Sequence, residues 1–135
     1  MPDDLGERIA TRATGHIGAS FRLHGRSMDG GFDCIGLAAD ALCHVGFSGA
    51  VPAEYTLRGQ FASRLCNFFD GPAFMRAASL KPGDFVAVRP APQQLHLLIT
   101  TDGGFVHAHA GLRRVVLTPQ PLPWPIFGHW RYVSG

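Results

Sequence analysis

Three residues far apart in the chain have the chemistry of an activated thiol: Cys34, His96 and His107. A thiolate attacks carbonyl carbon, an imidazole takes the thiol proton, and a second polar group orients that imidazole. Cysteine precedes both histidines, and the nine residues from Gly30 to Ala38 place the sulfur in a defined setting. A glycine pair leads to Asp33, a favoured N-cap type, and Cys34 follows at the first position of a small-residue, apolar run. In that first turn, unpaired N–H groups and the helix dipole favour negative charge. A free cysteine has a pKa of about 8.5, and such a site can lower it to roughly 3.5–7.5. The same N–H groups could receive an oxyanion. Cys34 is therefore expected to be held ionised.

The elements that position these groups follow from pattern. Cys34, Leu37, Ala38, Ala41, Leu42 and Val45 share one helical face, and Gly46 sits where a left-handed cap falls. An earlier helix is expected from Asp3 or Asp4, with Leu5, Ile9, Ala10, Ala13 and Ile17 on one side, ended by Gly18. Phe21 to Gly25 reads as a short extended piece, and Arg26 to Gly31 as a loop entering the central helix. Leu57, Phe61, Leu65 and Phe68 mark another helix, broken at Asp70-Gly71-Pro72, and Phe74 to Ala78 one more helical turn. After the turn Leu80 to Asp84 the period becomes that of strands. These run over Phe85–Val88, Leu95–Thr100, Phe105–Ala108, Leu112–Leu117 and Ile126–Val133, with Thr101 to Gly104 a hairpin turn. Helices first and an antiparallel sheet afterwards make an α+β layout over a single domain, residues 1–135.

His96 and His107 lie in the two strands of that hairpin, where neighbours can share a face. A helix packed on that face would bring Cys34 against them. His109, two residues beyond His107, is the rival for the third position. The remaining histidines (His16, His24, His44 and His129) read as structural, as do Cys43 and Cys66, taken as packing residues.

Composition narrows the classes. With 46% hydrophobic and 16% charged residues the chain has the make-up of a compact domain, not a disordered one. A net charge of +2 and a single lysine, Lys81, give no support to a nucleic-acid surface. No apolar run reaches the roughly 18–20 residues of a membrane span, so no membrane insertion is expected. The acidic start lacks the layout of a secretory signal, and synthesis in the cytoplasm is the expectation. Three cysteines without framework spacing do not make a disulfide scaffold.

Gly31 to Gly36, Leu80 to Asp84, His96 followed by Leu97-Leu98-Ile99, and Phe105 to Ala108 resemble, in order, the motifs of the NlpC family of papain-like cell-wall endopeptidases. The segments Phe21 to Gly25 and Cys34 to Leu37 look especially like the forms encoded with phage tails and gene transfer agents. The resemblance implies hydrolysis of an amide bond in peptidoglycan stem peptides, typically between D-glutamate and a diamino acid. Cys34 would be nucleophile, His96 base and then acid, and His107 the orienting residue. No metal or organic cofactor is implied. Phe21, Asp33 and Cys34 would form the entry and oxyanion side, with His24 and Arg26 able to contact an acidic stem peptide.

Two positions depart from the family. Phe21 stands where tyrosine is frequent, which removes a donor, and Ile35 stands where serine is common. The partner expected is a phage-like tail hub or baseplate protein, and the mature location a tail-like particle. The segment with Trp124 and Trp130 is a candidate docking surface, although packing is the simpler role for both. Two other readings are a catalytically weak or inactive tail-tip structural or binding module of the same fold and a zinc site from His96, His107 and His109, with or without Cys34.

Overall fold

The computed structural model describes residues 4–52, 61–92 and 94–134. Helix α1 spans Leu5–Thr14 and is capped by Asp4, whose side chain accepts the Glu7 N–H. Asp3, the alternative cap, lies outside the described residues. Ile9, Ala10 and Ala13 are buried as their spacing requires. The helix stops a turn earlier than expected, at Gly15, so Ile17 is exposed; Gly18 serves the following turn at φ +96°. Instead of a plain loop, Arg26–Ser27 (β1) and Gly31–Phe32 (β2) pair as a small antiparallel hairpin.

Central helix α2 spans Cys34–His44 and is buried along most of its length because its residues are small or apolar. Gly46 follows it at φ +94°, the left-handed conformation that favours glycine. Helix α3 spans Phe61–Phe69 and buries Leu65 and Phe69, with Phe68 only half-buried. Leu57 lies outside the described residues, as does the side chain of Phe61.

Residues Phe74–Arg76 form a strand, β3, not the expected helical turn. Its partner is the last strand of the chain, a pairing that local periodicity does not encode. Strands β4 (Phe85–Val88), β5 (His96–Thr101), β6 (Gly104–His109), β7 (Arg114–Thr118) and β8 (Ile126–Tyr132) complete a six-stranded antiparallel sheet. The order is β3-β8-β4-β5-β6-β7, with β8 inserted between β3 and β4.

Strand alternation divides the sheet into two faces. Ala87, Leu97, Ile99, Val106 and Ala108 join the α2 residues Ile35, Leu37, Ala38 and Leu42 in the main core. Val86, Val88, Leu98 and Phe105 face the other way and are covered by Leu122 and Trp124. Asp40 on α2 holds α1 through Arg12 at 3.0 Å and also bonds His16 at 2.7 Å. Asp84 receives Arg131 at 2.8 Å and His129 at 2.6 Å, which fixes β8 to the turn before β4. No helix among the described residues is long and apolar enough to cross a membrane.

Candidate active site

Asp33 builds the entrance. Its fully buried carboxylate accepts the Gly36 N–H at 2.7 Å through Oδ1, which caps α2. Through Oδ2 it accepts the His24 N–H at 2.6 Å. One side chain thus ties the entry loop to the helix that carries Cys34. Gly36 lets that loop close in, since a Cβ there would stand 1.7 Å from the Gly25 carbonyl oxygen. Phe21 is pinned by a bridge to Phe32 and by its N–H to the Arg113 carbonyl.

Cys34 and His96 line one cavity of about 300 Å³, together with Phe21, Gln94, Leu95 and Ala108. The route by which they meet differs from expectation. His107 alternates with Val106 and Ala108, and His96 with Leu97, so both histidines belong to the sheet face away from α2. The helix instead delivers Cys34 to the sheet where β5 begins. There the sulfur meets the backbone N–H of Leu97, the residue after His96.

His96 Nε2 lies 2.7 Å from His107 Nδ1, and His107 Nε2 lies 2.7 Å from Thr118 Oγ1. With Nε2 so engaged, Nδ1 is the His96 nitrogen left for a proton from the cavity. It is His107, not His109, that bonds His96: His109 Nδ1 accepts the Leu112 N–H at 3.0 Å and holds the β6–β7 turn. Trp124 packs edge-on to both rings, 6.3 Å from His96 and 6.1 Å from His107.

The electrostatics overturn one expectation. Cys34 is 3% exposed, and burial pushes its thiol up to about 12. The N–H of Leu97 pulls it down, the nearby Asp33 charge pushes it up, and the N–H groups of Ile35 and Cys34 pull it down more weakly. Burial also lowers His96 to about 3, helped by charge on His107 and His109, and lowers His107 to about 4, helped by His109. Both shifts favour a neutral thiol and a neutral imidazole in this cavity over a held thiolate.

Other assigned residues fall elsewhere. Arg26 donates to the Pro52 carbonyl and lines a separate cavity with Asp40 and Cys43. His24 takes part through its backbone, at φ +62°, and neither it nor Arg26 lines the Cys34 cavity. Cys43 is exposed rather than a packing residue, and Cys66 is intermediate. Among the described residues no group of three or more His, Cys, Asp or Glu side chains is disposed to hold a metal ion. Three contributors escaped the sequence reading. Thr118 and Gln94 belong to no motif, and the sequence offers Trp124 as a packing or docking residue; the hairpin register and the proline-rich return bring them in.

No family model matches the sequence, and no curated protein does. Solved structures do. NlpC1 from Trichomonas vaginalis superposes with a TM-score of 0.74 at 20% identity, covering 100% of this chain and 46% of that one. The NlpC/p60 domain of the peptidoglycan hydrolase SagA gives 0.62 at 20% identity, covering 90% and 95%. The peptidoglycan hydrolase RipB from Mycobacterium tuberculosis gives 0.65 at 19% identity, covering 97% and 65%. The chain spans about half the length of the Trichomonas proteins it matches. Its α+β architecture, helices over a six-stranded antiparallel sheet, is the fold of the NlpC/P60 papain-like structures.

Proposed function

We propose that this chain is a cysteine endopeptidase acting on the stem peptides of peptidoglycan. The observation that carries the reading is one cavity lined by Cys34 and His96, with His96 hydrogen-bonded at 2.7 Å to His107. The NlpC/P60 fold and the peptidoglycan hydrolases among its structural neighbours support the substrate class.

Because both partners rest neutral, the thiol proton passes to His96 Nδ1 as the sulfur adds to the amide carbonyl. The backbone N–H groups of Leu97, Ile35 and Cys34, which act on the sulfur, are donors available to the developing oxyanion. His96 returns the proton to the leaving amine, and a thioester remains on Cys34. Water, deprotonated by His96, then releases the acid and restores the thiol. The resemblance of the motifs further points to the D-glutamyl–diamino acid bond, and to carriage on a phage tail or gene transfer agent particle with a tail hub protein as partner.

Digestion of purified peptidoglycan by the wild type and by Cys34→Ala tests this. Removal of the nucleophile should cost up to about 10⁶ in rate, the loss seen where a triad acts as a unit. Equal release of stem fragments by both proteins would reject the catalytic assignment. A second reading, a non-catalytic module of this fold, is favoured by Phe21, which lines the cavity without a hydroxyl to offer. Binding of peptidoglycan without cleavage by the wild type would support it.

A further inference from the structure

His107 stands between two partners, and a neutral imidazole has one N–H and one lone pair to give them. Its Nδ1 faces His96 Nε2 and its Nε2 faces Thr118 Oγ1, each at 2.7 Å. The direction of one bond therefore dictates the direction of the other. If Thr118 accepts from His107 Nε2–H, then His107 Nδ1 accepts from His96 Nε2–H, and His96 Nδ1 keeps its lone pair. If Thr118 donates instead, every bond reverses. His96 Nδ1 then carries a hydrogen and has no place for another.

We propose that Thr118 is a positioning residue: its hydroxyl oxygen accepts the His107 Nε2–H and thereby holds both histidines in the tautomer that leaves His96 Nδ1 open to a proton. The architecture suits this role. In the β6–β7 ladder His107 pairs with Val116, so Thr118, two residues along, presents its side chain on the same face. Its β-branched side chain is stiff at χ1, which fixes where Oγ1 points. Thr118 is half-buried, so its own hydroxyl hydrogen has solvent to turn to. His107 is fully buried, so among the described residues its Nε2–H has Thr118 Oγ1 as its acceptor, and Trp124 packs edge-on to both rings. A proton arriving on His96 strengthens the same direction, since His96 Nε2–H must then donate.

The inference deepens the peptidase reading, and its kinetic arm rests on that reading; its tautomer arm does not. Nitrogen-15 NMR of the labelled full chain at neutral pH should show His96 and His107 both protonated at Nε2. Thr118→Val should shift His107 away from that tautomer and lower kcat on peptidoglycan by about tenfold or more, with KM within about twofold. Thr118→Ser should keep the wild-type tautomer and most of the rate. In a His107→Ala background, Thr118→Val should cost nothing further. A wild-type His107 protonated at Nδ1 overturns the proposal whether or not the protein cleaves anything. So does a Thr118→Val protein with unchanged tautomers. If Thr118→Val fails to fold, the wild-type tautomer and the Thr118→Ser rate decide. A wild type that holds the expected tautomers but cleaves no peptidoglycan counts against the substrate reading and leaves the Thr118 assignment standing.

Discussion

A thiol in the first turn of a helix feels opposing influences, and Cys34 shows their order. The backbone N–H groups favour the thiolate, while burial and the Asp33 charge oppose it; burial is the largest and takes the thiol to about 12. Alkylation of Cys34 in the resting protein should therefore stay slow up to pH 8.5 and rise only well above it, while exposed Cys43 reacts first. Peptide mass spectrometry after timed iodoacetamide treatment would measure both, and a Cys34 midpoint below about 8.5 would restore the held-thiolate picture. The base follows the same logic. His96, lowered to about 3, stays neutral well below the usual histidine range, so the acid limb of kcat/KM should fall below about pH 5 rather than near 6.5. At this scale the sequence was legible for residue type and order. It was not legible for ionisation, because a helix end read alone has no account of the cover that Phe21 and Leu95 supply from distant segments.

The elements succeed where the pattern is local and fail where the partner is remote. Helix α2, its Asp33 cap and its Gly46 stop follow from adjacent residues, as does the hairpin that joins β5 to β6. Strand β3 did not, since Phe74 becomes strand only by pairing with Tyr132 at the far end of the chain. The face that carries His96 and His107 differs from the sequence expectation for a related reason. Alternation was readable, but which face α2 would cover was not. Gly36 gives the element scale its test. Alanine is the better helix former by about 1 kcal/mol, yet a Cβ at this position would stand 1.7 Å from the Gly25 carbonyl oxygen. Overpacking of this kind costs roughly 1–3 kcal/mol, so Gly36→Ala should be net destabilising. Because the displaced loop also carries the His24–Asp33 bond, activity should fall more than stability. Urea unfolding alongside a peptidoglycan assay would show it, and a more stable, fully active Gly36→Ala would remove the close-approach argument.

For the whole molecule, a neutral histidine pair buried against the sheet makes folding depend on pH. His96 and His107 are lowered in the folded state, to about 3 and about 4, from an unfolded value near 6.5. Well above pH 6.5 both states leave them neutral and they add no slope. Below it the unfolded chain binds protons that the folded chain refuses, so stability falls as pH falls, until the folded values are reached. The carboxylates act lower. Burial pushes Asp84 up, but hydrogen bonds from Arg131, His129 and the Lys81 N–H hold it below its ordinary value. Asp40 is likewise pushed up by burial and held down by Arg12 and His16. Their stabilisation is intact above the ordinary carboxylate pKa of about 3.9 and is lost only as pH drops through the folded values. Between pH 7 and 5.5 the two site histidines thus contribute, by linkage, a loss of about 2.5 kcal/mol. Urea unfolding at the two pH values measures it, and His107→Asn should remove about half. A stability that stays flat across this interval, or a His107→Asn protein with the wild-type slope, would mean that the pair accepts protons in the folded state. The neutral relay from Cys34 through His96 to Thr118 would then have to be abandoned.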